Sequence, residues 1–376
     1  MPCPRPPFPA RSPSTSESRP LSPEAESLEQ SPLEALAAAL ANHPQRRAIE
    51  RSVVSLLEIA RSSGDPDEWR LINGALADIR DGLSVFAPHR LKRKVTVFGS
   101  ARTPPNDPAY RLAQELAVEA VGRGFEVMTG AGGGIMEAAN SGAGCDNSIG
   151  LNVELPFEQH ANRYVNACEG RLLHFRYFFT RKLFFLRESD ALVVMPGGFG
   201  TFDELFESLT LIQTGRTTPI PLVMLAPPGD AFWPEWLGEL HQGLVSRGLI
   251  SPEDTTLLKQ ASSAAEAMAI ISHFYRVFHG AQYAEDCLEL LLHGRLSEPQ
   301  LHQLNRDYGA LVEEGSISQG ESCDSRGILR PCLRFQLDRR RIGLLYQLLD
   351  QLNGFPLEAN AAIEQPGQRL SPPPQP

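Results

Sequence analysis

The sequence predicts an α/β fold: a Rossmann-like, doubly wound parallel sheet with N-terminal and C-terminal helical extensions. Three observations predict it. From about residue 93 to 280, apolar β-branched runs alternate with amphipathic helical stretches. Crossovers of that length pair strands in parallel. Three of the runs end in glycine clusters, at Gly99, at Gly130 to Gly134 and at Gly197 to Gly200. Ligands of such sheets sit beyond the carboxyl ends of the strands, so these clusters fall on the binding edge. Finally, 376 residues of which 42% are hydrophobic suffice for a large core.

The elements follow in chain order. Residues 1–31 are dominated by Pro, Ser and Glu and read as a disordered tail, as do 365–376. The N-terminal stretch has no apolar signal core, and its prolines oppose the amphipathic helix of a transit peptide. Residues 32–90 read as a helical extension. Ser31 and Glu34 have capping-box spacing, Leu33, Leu36, Ala37 and Leu40 share a face, a second helix ends at Gly64, and a third spans about Trp69 to Ile79. Residues 91–280 form the main domain. Its strands are KVTVF, FEVMT, SIGLNVELP, ALVVM and PIPLVML, and its helices run from Pro108 to Arg123, from the second glycine cluster, through RLLHFRYFFTRKLFFLRESD, and from the third cluster. Residues 281–364 read as a helical C-terminal extension. There Leu344, Leu345, Leu348, Leu349 and Leu352 form a packing stripe and Arg339 to Arg341 a solvated charged face.

The glycine clusters carry the chemistry. In MPGGFGTFDELFE, Gly197, Gly198 and Gly200 free the backbone and clear space for a ligand, and the helix start then aims N–H groups at one spot. That spot suits a phosphate, with Thr201 as a cap or an added donor. Glu204, one turn further, can face a bound ribose or complement the helix N-terminus. Gly132, Gly133 and Gly134 begin another helix, but Ile135 stands where a dinucleotide fingerprint needs its third glycine, so the loop suits a mononucleotide. Gly99 and Ser100 end the first strand at the same edge. Arg176, Arg181 and Lys182 are cations placed to clamp a phosphate or a ribose hydroxyl. Adjacent in a helix, Arg181 and Lys182 point about 100° apart and do not share one role.

PGGFGTFDE, Pro196 to Glu204, resembles the P-G-G-x-G-T-x-x-E motif of the LONELY GUY family, also called lysine-decarboxylase-like proteins. Arg181–Lys182 is similar to that family's Arg-Lys pair, and TGAGGGIMEAANSGA to its glycine-rich helix start. The resemblance covers about Val95 to Phe278. It implies a phosphoribohydrolase that converts nucleoside 5′-monophosphates to free base and ribose 5-phosphate, with AMP, other purine or pyrimidine nucleotides, or cytokinin ribotides as substrates. It places Arg181 and Glu204 in the catalytic positions and Gly197, Gly198, Gly200 and Thr201 at the phosphate. The alternative from another class is a nucleotide or molybdenum-cofactor carrier that binds without cleaving.

Exclusions narrow the field. A formal net charge of −10 disfavours nucleic acid as a partner. No apolar run reaches the roughly 18 to 20 residues of a membrane helix. No HExxH, GxSxG, P-loop lysine motif or metal-spaced Cys/His cluster occurs, so neither a metal nor a redox cofactor is expected. The six cysteines form no CxxC pair and read as reduced thiols of a cytoplasmic protein. A sheet edge carrying glycine loops needs cover, so a homodimer or higher homo-oligomer is expected.

Overall fold

The computed structural model describes residues 31–153, 160–284, 286–324, 326–356 and 366–367. Apart from Ser31 and Pro366–Gly367, both expected tails lie outside the described residues. The chain divides into two compact units, Met1–Trp69 and Arg70–Pro376.

The first unit holds α1 (Pro32–Leu40), α2 (Arg46–Ser62) and the start of α3 (Pro66–Phe86). The Glu34 carboxylate accepts the Ser31 N–H at 3.2 Å, one half of the capping box. Ile49, Val53, Leu56 and Ile59 of α2 are half-buried on one face, and no residue of that helix is fully buried.

The second unit contains β1 (Lys94–Phe98), α4 (Pro108–Gly122), β2 (Glu126–Thr129), α5 (Ile135–Ala143), β3 (Ser148–Val153), α6 (Arg163–Asn166), β4 (Leu172–Phe175), α7 (Phe178–Glu188), β5 (Ala191–Val194), α8 (Phe199–Gln213), β6 (Leu222–Leu225), α9 (Phe232–Leu240), β7 (Leu258–Ala261) and α10 (Ala264–Phe274). The seven strands form one parallel sheet in the order β4-β3-β2-β1-β5-β6-β7. The order reverses between β1 and β5, which makes that junction the topological switch point. Alternation along the strands feeds two cores. Val95, Val97, Val127, Val193 and Val223 pack with α4, α5 and α10 on one face. Phe98, Met128, Leu192, Val194 and Met224 pack with α7, α8 and the C-terminal region on the other. Residues buried on both faces explain why these strands read as continuous apolar runs rather than alternating ones.

Four expectations change. RLLHFRYFFTRKLFFLRESD is not one helix. Leu172–Phe175 is strand β4, in parallel register with Gly150–Val153, and α7 begins only at Phe178. The break is stabilised by a distant residue: Asp78 of α3, 1% exposed, accepts the N–H groups of Arg176 (3.0 Å) and Tyr177 (3.3 Å) and the Thr180 hydroxyl (2.7 Å), capping α7. Second, the C-terminal extension has its helices, α11 (Glu298–Tyr308) and α12 (Ile342–Gly354), but is not purely helical. β8 (Phe278–Ala284), β9 (Cys287–Leu292), β10 (Ser318–Cys323) and β11 (Leu329–Phe335) form an antiparallel sheet in the order β10-β11-β9-β8. A short leucine run such as CLELLL fits helix or strand alike, and Gly327 (φ 77°), between β10 and β11, is the hairpin signal.

Third, Cys145 and Cys168 are not free thiols but form a disulfide. Each lies in the entry to one of the parallel neighbours β3 and β4, so strand pairing brings them together across 23 residues. Fourth, Gly367 of the expected tail is tied down, accepting the Arg93 N–H at 2.8 Å and donating to the Arg123 carbonyl at 3.1 Å.

The α12 stripe packs as expected: Leu345, Leu348, Leu349 and Leu352 are buried. Arg340 and Arg341 pair with Asp338 at the surface. Among the described residues no helix is long and apolar enough to cross a membrane.

Candidate active site

The carboxyl ends of β1, β2 and β5 open into a cavity of about 760 Å³. Three loops build it. The β1 loop is laced to both glycine turns: the Ser100 N–H donates to the Pro196 carbonyl at 3.2 Å, and the Ser100 carbonyl accepts the Ile135 N–H at 3.0 Å. Two glycines are required by close approach. At Gly134 (φ 61°) a Cβ would lie 2.3 Å from the Ser100 oxygen, and at Gly197 it would lie 2.2 Å from Thr201 Oγ1.

The structure sorts the expected residues into two groups. Gly99, Ser100, Gly132, Arg181, Gly198, Gly200, Thr201 and Glu204 line the cavity. Gly133, Gly134, Gly197, Arg176 and Lys182 do not. Gly134 and Gly197 let the loops touch each other. Arg176 is turned to α3, with Nη1 on Asp78 Oδ1 at 2.9 Å. Lys182 stands behind the cavity wall, on Glu207 at 2.5 Å and Asp203 at 2.9 Å. Arg181 and Lys182 thus point apart, as their adjacency requires, yet both flank Glu204.

Glu204 is the electrostatic centre. Its side chain is 8% exposed, with Oε1 3.4 Å from Arg181 Nη2 and Oε2 4.0 Å from Lys182 Nζ. Burial pushes its carboxyl above the ordinary glutamate value, and the Lys182 and Arg181 charges hold it back only in part. Burial likewise lowers the Arg181 guanidinium, opposed by Glu204. Lys182 moves the other way: burial works against its charge, but hydrogen bonds to Glu207 and Asp203 outweigh it. Arg181 lies near the Phe178 and Phe185 rings, 5.2 and 5.5 Å from their centroids, and its buried Nε has no hydrogen-bond partner among the described residues. A buried donor on a cavity wall is suited to a ligand oxygen.

Sequence reasoning missed several lining residues. Arg102 and Asn152 reach the cavity, as do the rings of Phe178, Phe185, Phe199 and Phe202. Arg102 lies three residues past Gly99, within the loop already singled out, and was legible there. The four rings stand in apolar runs that carry no mark of a ligand along the chain. Their side of the cavity is set by how α7 and α8 pack.

An α/β fold with glycine loops, a helix N-terminus and a buried Arg–Glu pair meeting at its switch point defines a class: a Rossmann-like protein with a cavity of charged groups and aromatic rings at the carboxyl edge of its sheet. The comparisons narrow the class. A family profile described as "Possible lysine decarboxylase" matches residues 133–271. The probable cytokinin riboside 5′-monophosphate phosphoribohydrolase LOGL3 of Oryza sativa subsp. japonica is 30% identical over 184 residues, 48% of this chain and 82% of that protein. The cytokinin riboside 5′-monophosphate phosphoribohydrolase of Mycobacterium tuberculosis is 28% identical over 173 residues, 45% of this chain and 88% of that protein. The molybdenum cofactor carrier protein of Chlamydomonas reinhardtii is 22% identical, covers 47% of this chain and 94% of its own, and has a TM-score of 0.32. The chain belongs to the LONELY GUY, or lysine-decarboxylase-like, family, whose relatives named here as enzymes are phosphoribohydrolases.

Proposed function

We propose that this protein hydrolyses the N-glycosidic bond of nucleoside 5′-monophosphates, releasing free base and ribose 5-phosphate. The observation that carries the reading is the placement of buried Glu204 beside Arg181, one turn into the helix whose N-terminus opens on the same cavity.

The 5′-phosphate sits at Gly198, Gly200 and Thr201, where the N–H groups and dipole at the start of α8 favour an anion. That anchor supplies binding energy remote from the bond that breaks, and holds the ribose in place. As the C1′–N bond lengthens, positive charge builds on the ribose. The Glu204 carboxylate stabilises that charge and orients the attacking water. Water oxygen bonds to C1′, the bonding pair leaves with the base nitrogen, and the proton lost by water balances the one gained by the base. Arg181 fixes the substrate through the donors it turns to the cavity. The rings of Phe178, Phe199 and Phe202 offer apolar faces to the base.

A homodimer or higher homo-oligomer belongs to the same proposal. Phe178, Phe179 and Leu183 of α7 and Phe199 of α8 are exposed on the two helices that carry Arg181 and Glu204, Phe199 to 98%. Large apolar side chains left exposed on these two helices favour a protein neighbour. Light scattering on the purified protein reads the mass directly, and a monomer at micromolar concentration removes this part.

The central test is incubation with AMP, GMP, CMP and a cytokinin ribotide, followed by chromatography for free base. Base release from at least one of them, reduced about 10²-fold or more in Glu204→Gln with binding retained, is expected for loss of a carboxylate of this kind. Wild-type-like turnover in Glu204→Gln removes the catalytic assignment. Binding without release from any nucleotide turns the reading to a carrier.

A further inference from the structure

We infer that Asn162 is a positioning residue: it pins two successive carbonyls of the second glycine loop and so turns the N–H of Gly132, on the cavity wall, toward the cavity, with the Gly133 N–H beside it pointing away from Asn162. Asn162 is buried and does not line the cavity, whereas Gly132 does. The Asn162 N–H donates to the Ala131 carbonyl at 2.8 Å, and its Nδ2 donates to the Gly132 carbonyl at 3.0 Å. The described peptides are trans. In a planar trans peptide the N–H points opposite to the C=O of the same unit. Two carbonyls held toward Asn162 therefore leave the next two N–H groups, those of Gly132 and Gly133, pointing away from it, and Gly132 lies on the cavity wall. Successive N–H groups beside a left-handed residue form a concavity that accepts an anionic or hydroxyl oxygen.

The loop needs this hold. Ala131, at φ 60°, is the one non-glycine residue with positive φ among those described, a conformation an alanine resists. Its N–H is held by Thr129 Oγ1 at 3.0 Å. The Thr129 hydroxyl donates to Asn140 Oδ1 at 2.8 Å, and that oxygen also accepts Asn162 Nδ2 at 2.9 Å. Asn140 is fully buried and donates in turn to Ser148 Oγ at 3.2 Å. Residues from β2, α5, the start of β3 and the cap of α6 thus converge on one strained turn. Asn162 also caps α6 through Oδ1, which accepts the Val165 N–H.

The inference takes its substrate from the hydrolase reading and its geometry from the cavity, and the experiment separates the two. Asn162→Asp keeps the cap acceptor and loses the Nδ2 donor. KM for the nucleotide is expected to rise about tenfold with kcat within about twofold, the pattern of lost ground-state binding. Adding Ala131→Gly recovers a good part of that loss, because glycine adopts positive φ freely. Should the Asp variant not fold, Asn162→Ser carries the same reading. An unchanged KM in the folded variant, with only a lowered melting temperature, overturns the inference, and so does a double variant no better than the single. Calorimetric titration with ribose 5-phosphate runs alongside. Wild-type binding without turnover removes the hydrolase reading and leaves Asn162 to be judged on Kd. A wild type that binds neither nucleotide nor ribose 5-phosphate overturns both.

Discussion

At Glu204 burial and charge oppose each other, and the sign of the result sets the pH behaviour. Burial raises its carboxyl above the ordinary value of 4.5. The ionised form is the one that stabilises positive charge at C1′, so activity is expected to climb with pH along an acid limb lying above that value. Removing the counter-charge that lowers it most moves the limb further up: Lys182→Met shifts it to higher pH, read from kcat between pH 4 and 9. A limb that stays in place shows that Lys182 does not tune Glu204. Stability runs the opposite way with pH. A carboxyl whose folded pKa is raised makes its full contribution below the unfolded value and loses it as pH rises through the folded one. Glu204→Gln therefore flattens that part of the stability profile.

At the scale of elements, the junction of β4 and α7 shows how a distant residue assigns a role. Asp78 caps α7 with three hydrogen bonds and pairs with Arg176, so it bears more load than its partner. Asp78→Ala is expected to cost about 3 kcal/mol in denaturant unfolding, since it strips a buried cap of its acceptor. Arg176→Ala is expected to cost under about 1 kcal/mol, its side chain being 44% exposed and its pair screened by water. KM stays unchanged in Arg176→Ala, and a large rise would return Arg176 to the ligand. The sequence offered no sign of this. Asp78 and Arg176 are 98 residues apart, and the aromatic-rich run around Arg176 fits a helix as well as a strand followed by a helix.

At the scale of the molecule, the C-terminal region shares its core with the parallel sheet. Leu333, Tyr346, Leu348 and Leu349 belong to the same apolar cluster as Leu192, Val194 and Met224. The Tyr346 hydroxyl both donates to and accepts from the backbone of Ile220, at 2.8 and 3.0 Å, just before β6. Leu348→Ala, at a fully buried position, is expected to destabilise the protein by roughly 2–5 kcal/mol in one cooperative transition. Two separate transitions would show that residues after 280 fold on their own. The extension then completes the main core rather than standing beside it.

What the sequence determined by itself is local in origin. The strand-to-helix glycine turns, the parallel pattern, the Pro196–Glu204 motif and the α12 stripe are written in neighbouring residues, through backbone freedom, periodicity and capping. They mark Gly198, Gly200 and Thr201 as a phosphate-binding turn, and the motif's resemblance adds Arg181 and Glu204. Only the tertiary structure could decide that Arg176 serves α3, that Lys182 stands behind the wall, that Cys145 meets Cys168, and that Asn162 grips Ala131. Each of these depends on strand register or on partners between 20 and 100 residues away. Hydrogen bonds and ion pairs act over about 3 Å in space and leave no periodic trace along the chain.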